Sequence, residues 1–249
     1  MHPSSWLVCH PDASGDTRLF CFPFAGGTAA TFLPWQELLG PRVELHVAQL
    51  PGRGNRLFET PVTDQDVLVA ELTSAVAALT DTRFVLFGHS LGALPAFEGA
   101  RELRRRGHRA PESLWVAGAE GPQTQFVKNP LHGLTDDEFI AALRDYNGTP
   151  TELLDDREMM GLLLPGLRAD FTVGECYRYR PDEPLDVPIH VLLADHDEFT
   201  DPDRAAGWER ETSRALRQYV YPGDHFFLLP HEAAITARLA AALTSGAPR

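Results

Sequence analysis

The sequence Gly-His-Ser-Leu-Gly at residues 88–92 constrains the fold more than any other feature of the chain. An apolar run, Phe84–Phe87, precedes it, and apolar residues at helical spacing follow it: Leu91, Leu94, Phe97 and Leu103. A buried strand, a tight turn and a helix are therefore predicted, with Ser90 at the turn. Glycines two residues before and after Ser90 fit this geometry, because side chains there would collide with the neighbouring strand and helix.

A serine on such a turn projects its hydroxyl from the sheet and is a candidate nucleophile. The start of the following helix would place backbone N–H groups, among them that of Leu91, beside an oxygen that becomes negative during acyl transfer. The pattern alone is only moderately specific, and a turn rich in glycine and serine is the alternative. The flanking strand and helix favour the catalytic interpretation.

Short apolar segments recur along the chain, with helical patterns between them. Six are predicted as strands: Arg18–Phe22, Val43–Leu50, Phe84–Phe87, Ser113–Ala117, Ile189–Leu193 and Gln218–Tyr221. Several are apolar almost throughout, as in strands that helices cover on both faces. The alternation predicts an α/β fold with a mostly parallel central sheet and helices on both faces.

Two helical patterns belong to this predicted core. One follows a cap at Thr63 or Asp64, and the other lies near the C-terminus. Their apolar residues are Leu68, Leu72, Ala75 and Leu79 in the first, and Ile235, Leu239 and Leu243 in the second.

The segment from about residue 121 to 184 has helical patterns but no strand pattern. Thr135 and Glu138 are spaced as a capping box, and Pro150 is expected at a first helical position. The segment is too long for a plain connection between two core strands, so we interpret it as a helical lid over the active site. A helical subdomain without a gating role is the alternative. In either case we expect residues 1–249 to form one domain.

A serine nucleophile needs a general base, and this type of turn is followed along the chain by an acid and then a histidine. His225 follows the last predicted strand and is the predicted base, with a purely structural role as the alternative. Asp197 is the predicted acid because it lies in the loop after strand 189–193, whereas Asp195 could stabilise that turn. Glu120, after the preceding strand, is the alternative acid.

The loop after the first long strand is expected to supply a second N–H group to the oxyanion hole. Residues 22–27 read Phe-Pro-Phe-Ala-Gly-Gly, and paired glycines let backbone N–H groups approach a substrate. Ala25 is the predicted donor, to act with Leu91, although the two glycines could also form a simple turn. A nucleotide site is a poor interpretation, because no G-x-G-x-x-G or Walker motif is present.

Composition disfavours several classes of function. The formal net charge of −13 argues against nucleic acid and anionic membrane surfaces as partners. The three cysteines (Cys9, Cys21 and Cys176) lack zinc-ligand spacing, so no metal site is expected, and their odd, sparse count cannot complete a disulfide framework, which suits a reducing cytosol. No cofactor is expected. No signal-peptide pattern and no run of roughly 20 apolar residues occurs, which predicts a cytoplasmic protein, expected to be monomeric.

Four motifs stand in an order that resembles one known family. They are residues 22–27, residues 50–53 (Leu-Pro-Gly-Arg), residues 88–92 and residues 223–227 (Gly-Asp-His-Phe-Phe). Together they resemble the external, type II thioesterases of polyketide and nonribosomal peptide synthetases, which have the α/β-hydrolase fold. Residues 134–138, 148–150 and 167–170 resemble the lid of that family. The resemblance covers nearly the whole chain and is far more specific than the serine motif alone.

The resemblance implies hydrolysis of acyl or aminoacyl thioesters from the phosphopantetheine arm of an acyl or peptidyl carrier protein, for editing or release. It also supports Asp197, since the family's acid follows a Gly-x-x-Asp pattern, in which Ala194 here replaces the glycine. Residues 116–122 lack the family's usual Ser-Gly and basic residues, which favours a specialised substrate or release step. A serine esterase or amidase, an acyl-transferring or cyclising enzyme, and an acyl-binding protein without turnover are the alternatives.

Candidate arm-binding residues are Arg53, Arg56, Phe24 and Phe226. The two arginines follow a strand that should end on the same edge of the sheet as Ser90, where they could meet the phosphate of the arm. Arg53 could instead brace its loop. A second basic group lies about 22 Å along the helix from Ser90 and is better explained as a solvated helix end: Arg101, Arg104, Arg105, Arg106 and Arg109.

Apolar residues of the predicted lid are expected to line an acyl channel and to limit water entry, with ordinary core packing as the alternative. They are Phe139, Leu143, Leu162, Leu163 and Leu164.

Overall fold

A seven-stranded sheet forms the centre of the computed structural model, which describes residues 5–244 except 11–14, 125, 126, 128 and 147. The strand order across the sheet is β1-β3-β2-β4-β5-β6-β7. β1 pairs antiparallel with β3, and the other neighbouring strands pair in parallel. The strands are β1 (Leu7–Cys9), β2 (Thr17–Phe22), β3 (Val43–Ala48), β4 (Arg83–His89), β5 (Leu114–Ala117), β6 (Ile189–Ala194) and β7 (Leu216–Tyr221).

Eight α-helices connect these strands or flank the sheet in the described part of the chain. They are α1 (Trp35–Leu39), α2 (Gln65–Ala77), α3 (Ala93–Arg105), α4 (Asp136–Tyr146), α5 (Thr151–Asp155), α6 (Arg157–Glu175), α7 (Pro202–Ala205) and α8 (Glu232–Thr244). Short 3₁₀ turns lie at Ala29–Thr31, Gly54–Arg56, Ser90–Gly92 and Ala206–Glu211.

Two apolar cores lie on opposite faces of the sheet. Alternate strand residues, such as Phe84 and Val85 of β4, enter different cores because successive side chains of a strand point to opposite faces. α2 and α3 cover one core, and α1 and α8 cover the other. The predicted layers, a mostly parallel sheet between helices, are thereby confirmed.

All six predicted strands are present, with ends that differ by a few residues; β3, for example, ends at Ala48 instead of Leu50. β1 was not predicted, because three residues are too few to establish a period and its order comes from pairing with β3. Asp64 is the cap of α2 and accepts a hydrogen bond from the Val67 N–H at 3.0 Å. That helix ends at Ala77, before the predicted Leu79.

The segment between β5 and β6 is helical, as predicted, and its described part contains α4, α5 and α6. The Thr135 N–H and hydroxyl donate to Glu138, which confirms the capping interaction at the start of α4. Pro150 is the cap of α5 and not its first residue, because its carbonyl already accepts helical hydrogen bonds from Leu153 and Leu154. Residues 125, 126, 128 and 147 of this segment lie outside the described residues.

These three helices share an apolar cluster of their own, formed by Phe139, Leu143, Leu154, Met160, Leu164 and Leu167. This corrects the expectation that residues 139 and 164 line an acyl channel, because both side chains are enclosed in the cluster and neither lines the pocket that contains Ser90. Leu162 points to solvent, with 43% of its surface exposed. None of the described helices is both long and apolar enough to span a membrane.

Glycines at 88 and 92 allow β2, β4 and the start of α3 to approach closely. A Cβ atom on Gly92 would lie 2.0 Å from the carbonyl oxygen of Phe22, and one on Gly88 would lie 2.3 Å from the carbonyl oxygen of Gly92. Both neighbours are backbone atoms, so neither clash can be relieved by a rotamer change.

We predict that Gly92→Ala lowers the free energy of unfolding by about 3 kcal/mol or more, because the backbone of β2 or α3 must shift. Gly161→Ala is the matched control, since Gly161 lies in α6 and an added Cβ would meet no atom within 4 Å apart from its chain neighbours and the nearby backbone of its own helix. That change should leave stability unchanged or raise it by up to about 1 kcal/mol. Urea unfolding measures both; equal stability of Gly92→Ala and the wild type would contradict the packing argument.

Candidate active site

Ser90 lies at the junction of β4 and α3 in a backbone conformation that side chains rarely adopt. Among the described residues other than glycine, Ser90 alone has a positive φ, of 53°. Such a conformation costs free energy and persists only where the surrounding structure imposes it. The close packing around Gly88 and Gly92 provides that constraint, and the turn presents the Ser90 side chain at a pocket.

His225 connects Ser90 to Asp197. Its Nε2 lies 2.8 Å from the Ser90 Oγ, and its Nδ1 lies 2.9 Å from the Asp197 Oδ2. A carboxylate can only accept a hydrogen bond, so Nδ1 carries the proton and Nε2 is free to accept that of the serine hydroxyl. This is the geometry that a serine needs for proton removal as it attacks a carbonyl.

Asp197 follows β6 and has a fully buried side chain. Its Oδ1 accepts the Phe199 N–H at 2.8 Å while Oδ2 faces His225. Burial raises the pKa of this carboxyl, but the hydrogen bond and charge of His225, with the Phe199 N–H and the Thr200 hydroxyl, outweigh it and lower the pKa overall. The side chain therefore remains a carboxylate at neutral pH.

The other two carboxylates considered from the sequence have different partners. Asp195 accepts the Gly223 N–H at 2.9 Å and thereby stabilises the turn before His225. Glu120 accepts the Asp201 N–H at 3.2 Å and pairs with Arg204 at 3.4 Å. Burial raises the pKa of Glu120. The structure thus brings Asp197, and not these two, to His225.

His89 has a positioning contact that sequence reasoning missed. Its fully buried ring lies with Nε2 2.9 Å from the carbonyl oxygen of His225, and a carbonyl only accepts, so Nε2–H donates. Burial lowers the pKa of His89 to about 3, so the ring is neutral. Gly118 leaves room for the His225 ring, because a Cβ at this position would lie 3.1 Å from the His225 Cε1. Only a fold that brings β4, β5 and the 223–227 loop together reveals these contacts.

The predicted oxyanion loop forms a tight turn over residues 24–27. The Gly27 N–H donates to the Phe24 carbonyl at 2.9 Å, and Gly26 has a φ of 79°, as a type II turn requires. Ala25 and Leu91, the two predicted N–H donors, line the same pocket as Ser90. Among the described residues, the Ala25 N–H has no protein acceptor.

The pocket at Ser90 has a volume of about 780 Å³, within the range of small-molecule sites. Phe24 and Phe226 line it and meet edge to face, with ring centroids 5.1 Å apart. The insertion contributes four large side chains to its wall: Leu143, Tyr146, Leu167 and Phe171. Of the five residues predicted for an acyl channel, only Leu143 is in this lining.

The expectation that Arg53 and Arg56 bind a phosphate is corrected by their environment. The Arg53 guanidinium is buried and forms two hydrogen bonds with Asp170, at 2.5 and 2.6 Å. The Arg56 guanidinium is also buried; it pairs with Glu59 at 2.6 Å and donates to the Gln49 carbonyl at 2.9 Å. Both side chains therefore brace their loop, which for Arg53 was the alternative interpretation.

The second basic group is largely neutralised by local ion pairs. Arg105 and Arg106 pair with Glu102 at 2.8 and 2.7 Å, and the buried Arg101 pairs with Glu98 at 3.0 Å. These residues end α3 or follow it. Arg105 and Arg106 fit the expected solvated helix end, whereas Arg101 is buried within α3 and does not.

One cluster of side chains away from this pocket has the chemistry of metal ligands. The ligand atoms of Cys9, Glu44 and His46 lie within 4.8 Å of one another at the edge formed by β1 and β3. Burial and the Glu44 charge raise the pKa of the Cys9 thiol to about 11. Glu44 also forms an ion pair with Arg18 at 2.9 Å. The thiol is therefore protonated at neutral pH and Glu44 is already paired with Arg18, so we assign no metal to the cluster.

Comparisons with known proteins agree on one family. The sequence matches the thioesterase domain family over residues 17–243. The gramicidin S biosynthesis protein GrsT of Aneurinibacillus migulanus is 39% identical over 226 residues, which cover 90% of this chain and 88% of that protein. Thioesterase PikA5 of Streptomyces venezuelae is 38% identical over 88% of this chain and 78% of that protein.

A solved structure extends the agreement to three dimensions. The type II thioesterase BorB from the borrelidin biosynthetic cluster superposes with a TM-score of 0.87 at 36% identity, covering 98% of this chain and 99% of BorB. The sheet order, the strained serine turn and these relatives lead to the same conclusion: the chain belongs to the thioesterase family of the α/β-hydrolase fold, whose members hydrolyse thioesters.

Proposed function

We propose that this thioesterase releases acyl or aminoacyl groups from the phosphopantetheine arm of a carrier protein, with Ser90, His225 and Asp197 as its catalytic triad. The observation that carries the proposal is the unbroken hydrogen-bonded series from Ser90 Oγ through His225 to the buried Asp197, at the wall of a 780 Å³ pocket. Relatives from gramicidin S biosynthesis and from the borrelidin biosynthetic cluster support the carrier-bound substrate.

The reaction proceeds in two halves. Ser90 Oγ attacks the thioester carbonyl while its proton passes to His225 Nε2; the C–S bond then breaks, and the thiol leaves with that proton. Water next attacks the acyl-Ser90 ester as His225 takes one of its protons. Collapse of this second intermediate frees the carboxylic acid and returns the proton to Ser90. Asp197 keeps the imidazole in the required tautomer and stabilises it when it is charged.

Two backbone N–H groups, those of Ala25 and Leu91, stabilise the negative oxygen in both tetrahedral intermediates. Leu91 follows the nucleophile directly, and Ala25 lies on the turn after β2, the two places from which this fold supplies its oxyanion donors. Each donor of this kind is worth about 10²–10³ in kcat.

We further propose that α4 to α6 act as a lid in a monomeric, cytoplasmic enzyme. Residues of α4 and α6 form part of the pocket wall next to Ser90, so movement of these helices would change access to the site.

Replacement of the triad residues tests the mechanism. We predict that Ser90→Ala lowers kcat by at least about 10³-fold and Asp197→Asn by about 10²–10⁴-fold, because the first removes the nucleophile and the second permits the wrong histidine tautomer. Glu120→Gln is the matched control and should stay within about threefold of the wild type. Thioester hydrolysis is followed with a thiol-reactive dye; a severe loss in Glu120→Gln beside a mild one in Asp197→Asn would transfer the role of acid to Glu120.

A comparison of substrates tests the carrier-bound assignment. The same acyl group is offered on a carrier protein, as an N-acetylcysteamine thioester and as an oxygen ester, and products are measured by mass spectrometry. We expect kcat/KM to be highest for the acyl-carrier, because contacts with the arm and the protein add binding free energy. A higher kcat/KM for the oxygen ester would instead indicate a free-standing esterase.

The acyl-binding role of Leu143 can be separated from its packing role. Leu143 and Leu154 are similarly buried in the cluster of the insertion, but only Leu143 lines the pocket. Both Leu→Ala changes should cost about 2–5 kcal/mol of stability. We predict that only Leu143→Ala shifts the preferred acyl chain to a greater length, measured as kcat/KM over a chain-length series. The same shift in Leu154→Ala, or none in either, would contradict this.

A further inference from the structure

A buried ion pair joins three parts of the chain beside the proposed oxyanion hole. Arg53 lies in the loop after β3, and Asp170 lies on α6, 117 residues later. The side chains are only 5% and 3% exposed, and they meet through two hydrogen bonds, Nη1 to Oδ2 at 2.5 Å and Nη2 to Oδ1 at 2.6 Å. A bidentate pair of this kind is both strong and directional.

The third part is the turn over residues 24–27. Asp170 Oδ2 accepts the Gly26 N–H at 2.7 Å, in addition to the bond from Arg53. Arg53 Nη1 also lies 3.4 Å from the Gly27 carbonyl oxygen. The turn is thus held by Asp170 at the Gly26 N–H and closed by the hydrogen bond from the Gly27 N–H to the Phe24 carbonyl. Ala25, between Phe24 and Gly26, retains an N–H without a protein acceptor among the described residues.

Close packing allows α6 to reach this turn. A Cβ on Gly26 would lie 2.5 Å from the Leu167 Cδ2, and one on Gly166 would lie 2.6 Å from the Gly52 carbonyl oxygen. The α6 backbone therefore touches the loop that carries Arg53, while Leu167, one turn before Asp170, touches the turn that carries Ala25. Arg53 and Asp170 thus lie where α6 packs against these two loops.

We propose that Asp170, oriented by Arg53, is the positioning residue of the oxyanion hole: its carboxylate sets the turn so that the Ala25 N–H faces the reacting carbonyl. The inference rests on the proposed mechanism at Ser90. Because Asp170 belongs to α6, the hole is complete only when this helix is seated on the turn. Seating of the insertion and transition-state stabilisation are thereby coupled through one carboxylate.

If the Arg53–Asp170 pair only stabilised the fold, replacing it with apolar side chains would not change catalysis. An apolar replacement therefore separates the positioning role from a purely structural one. Well-packed apolar side chains can often replace a buried ion pair without loss of stability. The double variant Arg53→Met with Asp170→Leu fills a similar volume but removes the acceptor for the Gly26 N–H. A second pair, Arg53→Leu with Asp170→Met, distributes the volume differently and is used if the first does not fold.

For the folded double variant we expect kcat to fall by about 10–100-fold while KM changes less than about twofold, because only the transition state uses the oxyanion hole. The inhibition constant of a trifluoromethyl ketone analogue of the substrate should rise by the same factor as kcat falls. Arg53→Lys keeps the Asp170 acceptor and a positive charge but loses the bidentate geometry, so we expect a loss of kcat smaller than that of the double variant.

Arg101→Met with Glu98→Leu is the matched control, because it removes another buried ion pair that does not line the Ser90 pocket. It should leave kcat and ketone affinity unchanged. Wild-type kcat and ketone affinity in the Arg53/Asp170 double variant would overturn the proposal, as would a loss confined to KM. The assay uses whichever acyl substrate the wild type cleaves, so failure of the carrier assignment or of Ser90 as nucleophile is recognised separately, in the wild type and in Ser90→Ala.

Discussion

The close contact between Gly92 and the Phe22 carbonyl determines where both halves of the proposed reaction centre lie. Phe22 ends β2, and the turn that carries Ala25 begins two residues later. Gly92 ends the short 3₁₀ turn that begins at Ser90. Contact between these two points leaves no room for a side chain, and it brings the serine and the Ala25 turn to one pocket. The positive φ of Ser90 is imposed by this packing, which is why the strain persists.

Several contacts hold His225, which lies on a loop, in its position. Asp197 accepts a hydrogen bond from one ring nitrogen of His225, and His89 donates to the His225 carbonyl. Gly118 leaves space for the ring. A loop residue is ordinarily more mobile than a strand residue, so three contacts from β4, β5 and the loop after β6 provide the preorganisation that proton transfer requires. The neutral state of His89 avoids a second positive charge next to His225 when the latter is protonated.

Local patterns in the sequence were sufficient for most of the sheet and for the three residues of the proposed triad, which the structure brings together. Ser90 and Asp197 each follow a strongly apolar strand, and His225 follows the last strand, so their common edge follows from the parallel order of these strands. The roles of Arg53 and Arg56 could not be read in this way. Their partners decide those roles, and Asp170 lies 117 residues from Arg53 on a helix whose seating no local pattern specifies. β1 was missed for a related reason, since three residues become a strand only by pairing with β3.

Identification of the covalent intermediate tests the central claim most directly. Enzyme and acyl-carrier are mixed and quenched within milliseconds, and the digested protein is analysed by mass spectrometry for the position of the acyl group. The account predicts a transient acyl ester on Ser90 that forms and decays at rates consistent with kcat, and its absence in Ser90→Ala. Turnover at the normal rate with the acyl group on another residue, or by Ser90→Ala, would contradict it.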